Sequence, residues 1–174
     1  KLQAQLEKQG DKLGSVVALR EWGKALRDES RFEESLRVHS KGLQQAEAMG
    51  DTIEWVLALN YIGTNYRRLG VLDAAQTYHY QALRLTEESG DTCWLARKNY
   101  VKSLNGLGNI YMTLGNFKRA DSVLRKALEG EHQLGSDIGQ AINCANLGSV
   151  AKHIGKKDSA WAYYHRSMAF NRHA

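Results

Sequence analysis

Glycines recur along this chain on a fixed schedule. Gly50, Gly90 and Gly135 each close a helix-like run, and Gly23, Gly63 and Gly108 precede them by one constant interval. A second, shorter step carries Gly10 to Gly23, Gly50 to Gly63 and Gly135 to Gly148; only Gly90 breaks it, reaching Gly108 five positions late. An interval kept through successive copies implies a chain of repeats, each burying its apolar side against the next. The longer step taken from Gly148 falls one position past Ala174, and the chain opens on Lys1. The sequence is therefore expected to be part of a longer protein, divided near a repeat boundary.

Each repeat reads as two helices. In "GD" at 10–11, 50–51 and 90–91, glycine supplies the left-handed residue that ends one helix, and Asp can cap the next. Glu54, three residues after Asp51, predicts a capping box. A tighter break divides each pair at "RLGVLD", "TLGNFK" and "HIGKKD", with "DESRFE" in its place in the first. The spacing predicts helices over 13–28, 31–48, 52–69, 73–88, 92–114, 118–133, 137–154 and 158–171, with a leading helix over 2–9. The chain has no proline, which suits uninterrupted helices.

Within this frame Leu59, Ile62, Gly63 and Tyr66, followed by Ala75, His79 and Ala82, resemble the tetratricopeptide repeat signature. Leu104, Leu107, Gly108 and Tyr111, followed by Ala120, Leu124 and Ala127, resemble it more closely. The outer copies are looser: Leu19, Trp22, Gly23, Leu26, Ser35, His39 and Gly42 in the first, and Cys144, Leu147, Gly148, Ala151, Ala160, Tyr164 and Ser167 in the last. The resemblance implies an all-α fold, a right-handed α-α superhelix of antiparallel helix pairs. It divides one array over 1–174 into the end of a preceding repeat (1–10) and four pairs, 11–50, 51–90, 91–135 and 136–174. The periods, about 40 residues and once about 45, exceed the roughly 34 usual in this family. They are similar to those of spindle-orientation adaptors, kinesin light chains and bacterial signalling regulators, which hold a peptide or another protein domain.

The resemblance also implies a ligand surface. In this family the first helix of each pair lines a groove, through the residues three before, one after and four after the signature glycine. These are Arg20, Lys24 and Arg27; Asn60, Thr64 and Arg67; Asn105, Asn109 and Met112; and Ala145, Ser149 and Lys152. Five are cationic, three are Asn and none is acidic, so the expected partner is an acidic peptide or protein segment. Asn would hold its backbone, and Lys or Arg its carboxylates. The plainer reading of these positions is a solvated helix face. Helical-repeat nucleic-acid binding is an alternative, but the units carry no base-reading code. A structural array that dimerises an attached domain is another.

Enzymatic chemistry finds no foothold in the sequence, and no cofactor is expected. Cys93 and Cys144 stand apart with no CxxC, the histidines lack metal spacing, and "NGLGN" lies inside a helix signature rather than a phosphate loop. His39 and His79 share a position that Leu124 and Tyr164 fill elsewhere, which favours packing. The net charge of +5 biases partners towards acidic groups, and no apolar run reaches membrane-spanning length. A sensory or regulatory part of a larger signalling protein, in the cytoplasm, is the expectation. Two features stand outside the pattern. The last predicted helix carries Trp161, Tyr163, Tyr164, Met168 and Phe170 around most of its circumference, a surface for a further unit or for self-association. The five surplus residues between Gly90 and Gly108 belong at the start of their helix, around 92–96, because an insertion inside it would turn its packing stripe by roughly 140°. They would form an overhang of about 7 Å bearing Cys93, Trp94 and Leu95. Trp94 either covers the preceding ridge or contacts a partner.

Overall fold

The computed structural model describes residues 10–173, and among them the backbone is helices joined by short turns. The elements are α1 (Lys12–Asp28), α2 (Phe32–Met49), α3 (Thr52–Arg68), α4 (Leu72–Ser89), α5 (Trp94–Thr113), α6 (Phe117–Gln133), α7 (Asp137–His153) and α8 (Lys157–His173). Their ends lie within two residues of those predicted. The leading helix expected over 2–9 falls outside the described residues.

The punctuation follows from local chemistry. Asp11 accepts a hydrogen bond from the Gly14 N–H at 2.8 Å and Asp51 from the Glu54 N–H at 3.0 Å, each satisfying an otherwise unpaired donor of the first turn. Glu54 does not close the predicted capping box, because its carboxylate is engaged by Arg20 of α1. Gly50 ends α2 in the left-handed region at φ 67°. The turns inside the pairs also need a left-handed residue, which is Gly70, Gly115 or Gly155 in three of them. In the first pair Ser30 takes that conformation, at φ 62°.

The chain divides into two compact units, Lys1–Asp91 and Thr92–Ala174. The single offset in numbering that carries Gly23 onto Gly108 also carries Gly50 onto Gly135, Gly63 onto Gly148 and Gly70 onto Gly155. The same offset brings the helices into register: α3 at 52–68 becomes α7 at 137–153. The two units are thus one four-helix frame carrying two sets of side chains.

Each frame is held by a close approach of paired helices. A Cβ on Gly108 would stand 2.5 Å from Cδ2 of Leu124, and one on Gly63 would stand 3.0 Å from the His79 ring. Gly23 and Gly148 receive His39 and Tyr164 in the same way. His39, His79 and Leu124 are almost entirely buried, so the missing side chain is what lets the second helix seat. In the first unit a buried relay also ties three helices: Asn65 Nδ2 donates to Ser35 Oγ at 2.7 Å, and Ser35 Oγ donates to the Gly23 carbonyl at 2.7 Å. Val150 and Ala120 stand at the equivalent positions of the second unit and are buried without polar atoms. Replacing both partners together avoids stranding either one.

The surplus residues between Gly90 and Gly108 are shared between helix and connection. The cap is Cys93, whose sulfur accepts from the Ala96 N–H at 3.4 Å, so the helix begins at Trp94 and not at 92. α5 has 20 residues against 17 in α1, which lengthens it by three, about 4.5 Å. The other two surplus residues lengthen the connection, so the expected 7 Å overhang is shortened. Cys93 is exposed, Trp94 is 57% exposed, and the Lys98 ammonium lies 4.5 Å from the Trp94 ring centroid.

Candidate peptide-binding face

In the first unit the predicted cations surround an aromatic ring. Tyr61 of α3 stacks on His39, with centroids 4.9 Å apart and planes 9° from parallel, and the Arg27 guanidinium lies 5.6 Å from its centroid. Burial raises the pKa of the Tyr61 hydroxyl, while the charges of Lys24, Arg20 and Arg27 pull it down. Tyr61 was not among the predicted groove residues. Its neighbour Asn60 was, and one residue turns a helix by about 100°.

Carboxylates from outside the predicted set accompany these cations. Arg20 donates through Nη1 to Glu54 and through Nε to Glu21 at 3.1 Å. Lys24 meets Glu21 at 2.7 Å, and Arg27 meets Asp28 at 2.9 Å. Burial works against the charge of Arg20, but Glu54 and Glu21 outweigh it and raise its pKa. The face read as free of acid is therefore largely neutralised from within, because the acids reach it from adjacent positions and from the start of α3. Arg67 differs. Among the described residues no carboxylate pairs with it, and burial, assisted by Arg68, lowers its pKa.

Asn60 must be removed from the ligand-binding set. Its side chain is fully buried, and its Oδ1 lies 3.0 Å from His79 Nδ1, so it orients a core imidazole. Thr64 is partly buried and donates to the Asn60 carbonyl at 2.8 Å.

In the second unit the same positions have a different character. Asn105 stands where Arg20 does and approaches Glu131 at 3.5 Å. Gly139 replaces Glu54, and the Glu131 carboxylate fills the space a Cβ at 139 would need. The acid is thus supplied from the end of α6, without the guanidinium. Burial raises the pKa of Glu131, against Ser136, Lys98 and Asn105. Asn109, Met112, Ala145 and Ser149 are partly buried and Lys152 is exposed, with no ion pair to Lys152 among the described residues. Ile138 and Ile142 are 61% and 53% exposed and precede Ala145 by seven and three residues, on the same side of α7. That i, i+4, i+7 spacing was the sequence signal for this apolar stripe. At the far end of the unit, Trp161 is 67% exposed and Met168 48% on α8.

Among the described residues, no group of three or more His, Cys, Asp or Glu side chains is placed to hold a metal ion. No described helix is long and apolar enough to cross a membrane.

Family models of the tetratricopeptide repeat match residues 55–89 and residues 101–129. Among solved structures, BtubC (BKLC) from P. vanneervenii is similar over 93% of this chain and 65% of its own, at 17% identity and TM-score 0.79. The apo form of RapI is similar over 96% of this chain and 46% of its own, at 14% identity and TM-score 0.73. A Podosopora anserina putative kinesin light chain with nearly identical TPR-like repeats aligns over 98% of this chain and 92% of its own, at 10% identity and TM-score 0.65. The chain thus spans less than two thirds of the length of the first two. No curated protein matches the sequence. The fold class is all-α, the α-α superhelix of such repeats. The chain carries tetratricopeptide repeats, and the role such repeats support is that of a protein-interaction scaffold.

Proposed function

We propose that in each unit the face formed by the first helices of its pairs, α1 and α3 in the first and α5 and α7 in the second, binds a peptide segment of a protein partner. The observation that carries this reading is Arg67. A half-buried guanidinium with no carboxylate gives up solvation without an ion pair in return, and an arriving carboxylate would supply one. Lys152 occupies the equivalent position in the second unit. The segment held by the first unit is acidic where it meets Arg67, and the one held by the second is acidic at Lys152 and apolar against Ile138 and Ile142. The protein acts as a non-enzymatic scaffold, within the regulatory region of a larger signalling protein.

The paired state of Arg20, Lys24 and Arg27 argues against nucleic acid on this face, because each cation committed to a carboxylate is one fewer for phosphates. It also changes the proper test. Charge reversal at Arg20 would strand Glu54 and disturb the fold, whereas Arg67 and Lys152 can be changed with little structural cost. Fluorescence polarisation with a labelled library of peptides rich in Asp, Glu and Leu is expected to find binders that Arg67→Glu weakens by about tenfold or more. Binders unaffected by both Arg67→Glu and Lys152→Glu would remove this face from consideration.

A further inference from the structure

A cavity of about 340 Å³ opens in the second unit between α6, α7 and α8. Its wall includes Arg125, Leu128 and His132 of α6, Gln140 of α7, and Tyr163 and Arg166 of α8. Gln140 lies five residues before Ala145, about 140° around α7, so the cavity is distinct from the face proposed above.

The correspondence between the two units shows why there is space. Leu128, Gln140 and Tyr163 correspond to Leu43, Trp55 and Tyr78 of the first unit. There Leu43, Trp55 and Tyr78 all pack on a core cluster of Val56, Leu59 and Ala82. In the second unit Trp55 becomes Gln140, Val56 becomes Ala141 and Leu59 becomes Cys144, three reductions in size on one wall. The Gln140 side chain does not fill the gap. His132 Nδ1 approaches its Oε1 at 3.3 Å, and its Nε2 donates to Asp137 at 3.4 Å, which ties it to the helix ends. Ser167, in place of Ala82, spends its hydroxyl on the Ala141 carbonyl at 2.8 Å.

The rim has changed in charge as well as in size. Arg125 and Arg166 replace Ser40 and Gln81, and both guanidiniums approach the Tyr163 ring, at 5.6 and 6.0 Å from its centroid. Arg125 is held by Asp121 at 2.7 Å, while Arg166 has no carboxylate partner among the described residues. The acid on the rim, Glu129, accepts from Gln133 at 3.1 Å.

We infer that this cavity receives an aromatic side chain of a partner, with a carboxylate beside it in the partner's sequence. The ring would take the place that Trp55 fills from within the first unit, against Leu128 and Tyr163. The carboxylate would meet Arg166 at the rim.

The test uses the peptide acetyl-Asp-Trp-amide as probe, acetyl-Asp-Ala-amide as control, and ¹H–¹⁵N NMR of the whole chain as readout. Saturable shifts are expected at the amides around Gln140 and Tyr163 with the Trp probe, and none with the Ala control. Gln140→Trp, which restores the internal occupant, should weaken the probe by at least about tenfold and raise the melting temperature. Arg166→Gln, at an exposed position, should weaken it about threefold to tenfold and leave the melting temperature unchanged. The proposal is overturned if the Ala control binds as well as the Trp probe, if no saturable shift appears, or if a folded Gln140→Trp variant binds undiminished. Should Gln140→Trp not fold, undiminished binding by Arg166→Gln overturns it in the same way.

Discussion

The contact between Gly108 and Leu124 offers a direct measure of what holds a helix pair together. A methyl group at 108 would stand 2.5 Å from Cδ2 and 2.7 Å from Cγ of Leu124, where carbon atoms need about 3.5 to 4 Å. Leu124 is fully buried, so the overlap requires a shift of about 1 Å in packed surroundings. Overpacking of this kind costs about 1 to 3 kcal/mol, and replacing glycine within a helix returns about 1 kcal/mol. Gly108→Ala is therefore expected to destabilise by up to about 2 kcal/mol. Leu124→Ala removes a buried branch and should cost about 2 to 5 kcal/mol. In the double variant the new methyl enters the space that Leu124 leaves, so the two changes should compensate. Urea unfolding of the whole chain, followed by circular dichroism, is expected to show the double variant more stable than the sum of the singles by about 1.5 kcal/mol or more. Additivity within about 0.5 kcal/mol, or stabilisation by Gly108→Ala alone, would refute the close-approach argument.

Three further perturbations test local readings. Ser30→Gly should stabilise the first unit by about 0.5 to 1 kcal/mol, since Ser30 holds the left-handed conformation that glycine holds in the other three inner turns; thermal melting measures it. Cys93→Ser replaces a weak sulfur acceptor at the start of α5 with a good capping oxygen, and should raise stability by about 0.5 to 1 kcal/mol in the same assay. Glu131→Gln tests the half-buried carboxyl of the second unit. A folded-state pKa above the ordinary value favours the protonated form, so this group's contribution is present at low pH and is lost as pH rises through the raised value. The variant's urea midpoint, relative to wild type, should therefore be more favourable at pH 7 than at pH 5, and an equal difference at both would count against the assignment.

The frame was legible because glycine placement is a steric requirement that survives changes elsewhere. Gly23, Gly63, Gly108 and Gly148 fixed the pairs, and Asp11 and Asp51 marked helix starts that the structure keeps. The face was read less completely, for a physical reason. A helical period tells which residues share a side, but not which long side chains reach that side from elsewhere. Glu54 looked like a capping residue and proved to be the partner of Arg20. Glu131 belongs to a different helix from the Asn105 it approaches, and no spacing rule connects them. Asn60 lies on the predicted stripe yet points into the core, because His79 of the paired helix offers its ring there. Cys93 was placed on the extension but not seen as its cap, since Asp91 is the better capping residue by type.

The break in period has a consequence for how such a chain can change. The one long interval falls between the two units, so both keep their internal spacing, and the correspondence between them survives it. Unequal crossing-over in steps of one whole unit would bring each glycine opposite a residue already suited to its contact, gaining or losing a unit without a new core. Trp55 and Gln140 stand at the same address in the two frames, filled in one and open in the other.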